Sequence, residues 1–209
     1  MTTIFISGSR EIPFLPDEVE SRIDRMIDSE MDIVVGDSER GVDSIVLRYL
    51  ESHSYENVSV YTIHDVPRAK NRLDSWNMCK VDPSAIAKMD KEGKIRNRRE
   101  LETAKDEEMG RIADYGLVIW QSTYKNRFGR TSVSKGSLRN MYQMLSSQKP
   151  VVLYELSVDD VDDMAFHCHE LKSIKDLRIL ISSKSDDAVK RAYAQIEKAD
   201  IRSNLSLFD

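Results

Sequence analysis

Five short apolar runs recur along the chain, and residues with helical spacing follow most of them. The runs are TIFIS (Thr3–Ser7), DIVVG (Asp32–Gly36), VSVYTI (Val58–Ile63), YGLVIW (Tyr115–Trp120) and PVVLYEL (Pro150–Leu156). They are continuously apolar rather than alternating, which is typical of parallel strands covered on both faces. The pattern therefore predicts an α/β fold with a doubly wound, Rossmann-like parallel sheet of five core strands.

Helical spacing fills most of the segments between these runs. We expect helices from Pro16 onward, over residues 41–53, over Arg96–Ala113 and over Lys135–Ser147. From His64 the periodicity weakens, and two prolines, a tryptophan and several charges follow. Residues 64–95 are therefore interpreted as an insertion that contains one short helix.

The pattern divides the chain into a main domain, residues 1–156, and a C-terminal extension, residues 157–209. In the extension we expect a helix near Asp159–Leu171, a strand at LRILIS (Leu177–Ser182) and a helix near Asp186–Ala199. We interpret this α/β extension as packed on the same domain.

Length and charge exclude several classes of protein. The chain has 209 residues and a net charge of −5, from 36 acidic and 31 basic side chains. No apolar run approaches the ~20 residues that a membrane-spanning helix needs, so no membrane partner is expected. An acidic chain is atypical of nucleic-acid binders. The basic stretch Lys88–Arg99 is either a solvated face or a wall beside a phosphate site.

Cysteine and histidine usage points to a reducing compartment without a resident metal. Cys79 and Cys168 are far apart and form no CxxC pair, which fits the cytoplasm. The N-terminus lacks the pattern of a signal peptide and is interpreted as the first strand. The cluster HCH at 167–169 favours a helix with mixed faces over a zinc site. We expect no metal and no cofactor.

Two loops after predicted strands carry residues suited to anions. Gly8, Ser9 and Arg10 follow the first strand, and a guanidinium is well shaped for phosphate. A plain turn with an exposed arginine explains them equally well. The loop GDSERGVD supplies the ligand-binding candidates Gly36, Asp37 and Gly41 and the carboxylate of Asp43. Asp43 either stabilises a helix start or reaches a ribose hydroxyl.

A third loop, in the segment SKGSLRN, opens the helix that follows the YGLVIW strand. Ser134, Lys135, Gly136 and Ser137 stand where backbone N–H groups are free to bind phosphate. The alternative is a serine cap on an ordinary helix. Trp120, at the end of the strand, is either a core aromatic or a platform for a base. Because ligands bind at the carboxyl ends of parallel strands, the three loops are expected to share one edge.

These segments resemble the SLOG superfamily, which includes DprA, the LOG hydrolases and the YpsA-like proteins. GSR, GDSERGVD and SKGSLRN occur in the order seen there, and KDEEMGRIADYGLVIWQ resembles a YpsA-like pattern. The resemblance covers most of residues 1–156. It implies a nucleotide-binding Rossmann-like domain whose members often pair through helices, so a homodimer is left open.

The resemblance also implies site residues and alternative functions. Lys105 and Asp106 stand where the YpsA-like pattern has Arg-Asn, and Asn140 stands where the LOG loop has its glutamate. Lys105 is expected to hold phosphate, and Asp106 or Asp43 would supply any catalytic carboxylate. The leading function is binding of a nucleotide or nucleotide-derived ligand, as a sensor or sequestering module. The alternatives are a nucleotide N-glycosidase or transferase and a DprA-like protein that binds single-stranded DNA.

Overall fold

The computed structural model describes residues 1–82, 98–160 and 163–205. Within these ranges the chain forms nine strands and six helices. The strands are β1 Thr3–Gly8, β2 Asp32–Gly36, β3 Val58–Thr62, β4 Asn77–Lys80, β5 Tyr115–Gln121, β6 Thr123–Lys125, β7 Thr131–Val133, β8 Val151–Asp160 and β9 Asp163–Leu171. The helices are α1 Asp17–Asp28, α2 Val42–Ser52, α3 Arg98–Ile112, α4 Lys135–Ser146, α5 Ile174–Ser183 and α6 Asp187–Leu205.

Seven of the described strands form one sheet in the order β4-β3-β2-β1-β5-β8-β9. All neighbours are parallel except β8 and β9, which confirms the predicted fold class. The five predicted strands are the central ones. The strand order reverses between β1 and β5, so the loops that follow these two strands meet at a topological switch point.

Alternate residues of each central strand face two separate hydrophobic layers. Ile4 and Ile6 point toward α1 and α2, and Phe5 points toward α3 and α4. All three side chains are buried. Because both faces of the sheet are covered, the strands are apolar at every position, as the sequence pattern indicated.

The expected insertion contains a strand that the sequence pattern missed. Residues Asn77–Lys80 form β4, which pairs in parallel with β3 at the edge of the sheet. The buried Trp76 anchors it by donating from its indole nitrogen to the Tyr55 carbonyl at 2.7 Å. No helix occurs over residues 64–82. Residues 83–95, with most of the basic stretch Lys88–Arg99, lie outside the described residues.

The helix expected near Asp159–Leu171 is wrong, because this segment forms β9. It pairs in antiparallel register with β8, which extends beyond residue 156 to Asp160. Pairing with the edge of the sheet satisfies its backbone and overrides a helical pattern. The HCH cluster therefore lies on a strand, where His167 and His169 face one way and Cys168 the other.

The strand expected at Leu177–Ser182 is also wrong, because the segment is the helix α5. Ser173 and Asp176 form a capping box at its start, and this signal outweighs a short apolar run. Leu177 and Ile181, one turn apart, bury one face. The last expected helix occurs as α6. None of the helices in the described ranges combines the length and the apolar character that crossing a membrane requires.

Candidate functional site

A cleft of about 1450 Å³ lies at the carboxyl ends of β1 and β2, beside the β1–β5 switch point. Its walls come from the loop after β1, the start of α2, the segment after β3, one side of α3, the β6–β7 hairpin, the first half of α4 and one face of α6. Eleven of the fourteen site residues predicted from sequence line it: Gly8, Ser9, Arg10, Gly36, Asp43, Lys105, Asp106, Ser134, Lys135, Gly136 and Ser137. The three loops therefore do meet at one edge of the sheet.

Three serine hydroxyls meet where α4 begins. The Oγ atom of Ser134 lies 2.8 Å from that of Ser9 and 3.4 Å from that of Ser137. The Ser9 Oγ also accepts from the backbone N–H of Gln121 at 3.0 Å, which ties the loops after β1 and β5 together. Although Ser134 occupies the N-cap position, its side chain makes no capping bond to the helix. The serine cap considered from the sequence is therefore absent at this described helix, and its first-turn amides are left for another acceptor.

The space above this helix start is open. Gly136 is exposed, and a Cβ atom built on it would meet no described atom within 4 Å. Lys135 donates from Nζ to the neutral Oε1 of Gln195 at 3.1 Å, so its positive charge stays beside the first turn. Free amides, the helix dipole and a lysine together form a site suited to an anion.

Positive side chains dominate the lining of the cleft, although the whole chain is acidic. Among the described lining residues ten are basic: Arg10, Arg40, Arg68, Arg99, Lys105, Lys125, Arg127, Lys135, Arg139 and Arg191. Four are acidic: Glu11, Asp43, Glu102 and Asp106. Walls of one sign focus the field and attract ligands of the opposite sign. The charge of the lining therefore favours an anionic molecule over a cationic one.

Asp37 does not line the cleft, although the sequence suggested it as a ligand-binding residue. It is fully buried and accepts from the Thr62 hydroxyl at 2.7 Å and from Nη2 of Arg68 at 2.9 Å. Burial alone would raise its pKa, but Arg68, Lys105 and Thr62 outweigh burial and hold the pKa well below the ordinary range. Asp37 thus fixes two cations of the cleft wall rather than touching a ligand.

Lys105 is the most enclosed cation of the site. Its Nζ atom lies 3.1 Å from Glu102, 3.4 Å from Asp37 and 3.9 Å from Asp106. Burial opposes its charge, yet the surrounding carboxylates raise its pKa above the ordinary value. Because these carboxylates surround Lys105, its charge is less available to an anion in the cleft than the charge of an exposed arginine.

Asp106 and Asn140 form a polar pair at the floor of the cleft. Burial raises the pKa of Asp106 to about 7, against the opposing effects of Lys105 and of a hydrogen bond from Asn140. Asn140 is 6% exposed, and its Oδ1 atom has no hydrogen-bond partner in the described structure. The same is true of the Oγ atom of Ser7, which is 5% exposed. Such orphaned buried acceptors are costly unless a ligand or water satisfies them.

Asp43 lies in the first turn of α2 and faces the cleft. Its Oδ2 atom accepts from the backbone N–H of Ser38 at 3.3 Å. A Cβ atom on Gly36 would lie 2.5 Å from the same oxygen, so glycine there leaves room for the carboxylate. Burial raises the pKa of Asp43, and Lys105 opposes this effect.

Two further predicted residues, Gly41 and Trp120, lie outside the lining. Gly41 adopts φ 74°, and a Cβ atom on it would lie 2.4 Å from Cα of Arg10. It therefore allows the first two loops to pack together. Trp120 is fully buried between the sheet and α4, and its Nε1 donates to the Ser134 carbonyl at 3.2 Å. It supports the start of α4 and provides no platform for a base.

Sequence reasoning missed the β6–β7 hairpin and two arginines. The hairpin brings Tyr124, Lys125 and Arg127 to the cleft. Its signal was present in TYKNRFGRTSV, where two strand-like triplets flank a turn with Asn and Gly. Arg68 carried no comparable signal, because its approach to the cleft depends on tertiary packing. Arg139 had a weaker one, since it follows Lys135 by four residues in the predicted helix and therefore shares its face.

No protein-family model matches this chain, and no curated protein matches its sequence. Membership of the SLOG superfamily stays a prediction from the motifs. The function is inferred from the residues of the cleft.

Proposed function

We propose that the cleft binds a nucleotide or a nucleotide-derived ligand, with a phosphate group at the start of α4. The observation that carries this proposal is the uncapped helix start, where Ser134 makes no capping bond and the space above Gly136 is open. The basic lining supplies the charge that such a group needs. Binding of phosphate by first-turn amides and nearby cations is a general property of helix N-termini.

The size and polarity of the cleft favour a ligand larger than phosphate alone. Its volume of about 1450 Å³ leaves room for a sugar and a base. The unpaired Oδ1 of Asn140 lies one helical turn beyond Gly136, about 6 Å along the axis. A free hydroxyl group on the sugar that carries the bound phosphate would be a suitable hydrogen-bond donor to this Oδ1 atom. The position at the switch point of the sheet is also where nucleotides bind in other doubly wound folds.

A thermal-shift screen against nucleotides and nucleotide-sugars tests this proposal. A ligand at 100 times its dissociation constant adds about 2.7 kcal/mol to the free energy of unfolding. The Arg10→Ala variant should lose most of the shift but keep the melting temperature of the free protein. Arg48→Ala, which removes an exposed charge outside the cleft, is the matched control. If no compound of the screen raises the melting temperature, or if the two variants respond alike, the proposal fails.

We propose as a second candidate that the same site cleaves the N-glycosidic bond of its nucleotide. The observation that favours it is Asp106, a carboxyl group in the cleft whose pKa near 7 suits a general acid. We expect slow turnover, because Asn140 occupies the position of the LOG glutamate and an amide stabilises positive charge on a sugar poorly. Release of free base from nucleoside monophosphates, measured by chromatography, should disappear in Asp106→Asn if this reaction occurs.

We also propose that the protein acts in the cytoplasm, since both of its cysteines are free thiols.

A further inference from the structure

A second group of positive charge lies where α3 packs against α4. Arg139 is one turn beyond Lys135 on the same face of α4, and Arg99 lies near the start of α3. Both side chains line the cleft. Arg139 lies in the segment SKGSLRN and Arg99 ends the basic stretch Lys88–Arg99, but neither is among the residues predicted from sequence to hold the phosphate.

The packing holds the Arg139 guanidinium through a neutral hydrogen-bond partner. Its Nη1 atom donates to the Thr103 hydroxyl at 3.0 Å, and that hydroxyl donates to the Arg99 carbonyl at 2.9 Å. One turn further along the same contact, the neutral amide of Gln143 donates to the carboxylate of Glu107 at 2.8 Å. At these two positions the hydrogen-bond partner of the charged group is a neutral side chain. Glu107 and Asp106 still act on Arg139 through their charges, and its half-buried guanidinium lines the cleft.

The electrostatics of this pair favour a bound anion. Burial and the neighbouring Arg99 guanidinium lower the pKa of Arg139 below its ordinary value, against the charges of Glu107 and Asp106. Arg139 nevertheless stays protonated at neutral pH. A phosphate placed between the two guanidinium groups would accept charge-assisted hydrogen bonds from both of them.

We infer that Arg99 and Arg139 form a second anion subsite, so that the ligand carries a second phosphate separate from the one at the start of α4. This inference rests on the proposed function. The two phosphates of a diphosphate share one bridging oxygen and stay close together. The 3′ and 5′ phosphates of a nucleoside bisphosphate lie on opposite sides of the ribose, which fits subsites about one helical turn, or ~6 Å, apart along α4. The ligand class is therefore a nucleoside 3′,5′-bisphosphate.

Calorimetric titration at fixed salt tests the second subsite. The probes are the 5′-monophosphate, the 5′-diphosphate and the 3′,5′-bisphosphate of each of the four ribonucleosides. For the preferred base, the bisphosphate should bind at least about tenfold more tightly than the other two compounds. Arg139→Gln should weaken binding of the bisphosphate far more than binding of the monophosphate, and so remove most of this advantage. Arg48→Gln should preserve it. If Arg139→Gln does not fold by circular dichroism, Arg99→Gln takes its place with the same expected result.

The outcomes distinguish a failure of the second subsite from a failure of the proposed function. Equal affinity for monophosphate and bisphosphate, a diphosphate that matches the bisphosphate, or an Arg139→Gln variant that weakens all three compounds alike would overturn the second subsite. In those cases the first phosphate site stands as long as Arg10→Ala weakens the monophosphate. If no nucleotide of the panel binds, the proposed function and the second subsite fail together.

Discussion

Replacement of Asp37 by asparagine should be among the most destabilising single substitutions at this site. The carboxylate is fully buried and accepts hydrogen bonds from Thr62, from the backbone and side chain of Arg68 and from Lys105. Asparagine keeps the shape but removes the charge. Arg68 and Lys105 would then share Glu102, at 3.0 and 3.1 Å, as their nearest remaining carboxylate.

The expected loss follows from the burial of this cluster. Removing one partner of a buried ion pair costs about 3–5 kcal/mol, because the remaining charge is left desolvated. For a domain of this size each kcal/mol lowers the melting temperature by about 2–4 °C, so Asp37→Asn should melt roughly 6–20 °C lower. The control is Asp65→Asn, which removes an exposed pair with Lys80. This control should leave the melting temperature unchanged within error.

The stability that Asp37 contributes should depend on pH in a direction that its pKa determines. The folded-state pKa of Asp37 lies below its ordinary value, so its contribution is present above that ordinary value, about 4, and is lost as the pH falls further. Urea unfolding of wild type and Asp37→Asn should therefore differ most at pH 6–8 and converge in acid. A loss below about 1 kcal/mol at pH 7, or a difference that does not shrink in acid, would refute the role of Asp37 as the anchor of these cations.

Two further predictions concern neighbouring residues. Asp106 has a raised pKa near 7, so it becomes negatively charged as the pH passes 7 and should then weaken phosphate binding. Between pH 6 and 8 the nucleotide affinity of wild type should therefore fall relative to that of Asp106→Asn, and parallel pH profiles of the two affinities in calorimetry would contradict this. Gly41→Ala should lower the free energy of unfolding by about 1–3 kcal/mol in urea, because φ 74° is strained for alanine and its Cβ would lie 2.4 Å from Cα of Arg10. A variant as stable as wild type would show that the loops after β1 and β2 can separate at no cost.

The central sheet was predictable because its strands are buried on both faces. Ile4 and Phe5 point to opposite layers and are both apolar, so a continuous run is the direct result of the covering helices. The edge strands of the sheet were not predictable in this way. β4 and β9 are specified by pairing with β3 and β8, and such nonlocal contacts leave little trace in a short stretch of sequence.

The candidate site was predictable where one loop carried the chemistry. Ser134 and Gly136 were identified because glycine and serine at a helix start indicate an anion site. Trp120 and Asp37 show the limit of this reasoning. Trp120 ends a predicted strand and Asp37 directly follows one, where site residues are expected, but Trp120 packs in the core and Asp37 binds Arg68. Arg139 was not identified, because its position beside Arg99 depends on how α3 meets α4.

The most direct test of the phosphate site is the affinity of Gly136→Asp compared with Gly136→Ala. The space at this position is open, and an acidic residue in the first helical turn is compatible with a stable helix. The aspartate would place its own carboxylate where the phosphate is expected. Calorimetric titration with the nucleotide that gives the largest thermal shift should show at least about hundredfold weaker binding to Gly136→Asp. Gly136→Ala should bind within about threefold of wild type, and both variants should keep the wild-type melting temperature or exceed it. Equal affinity of the two variants would contradict a phosphate at the start of α4.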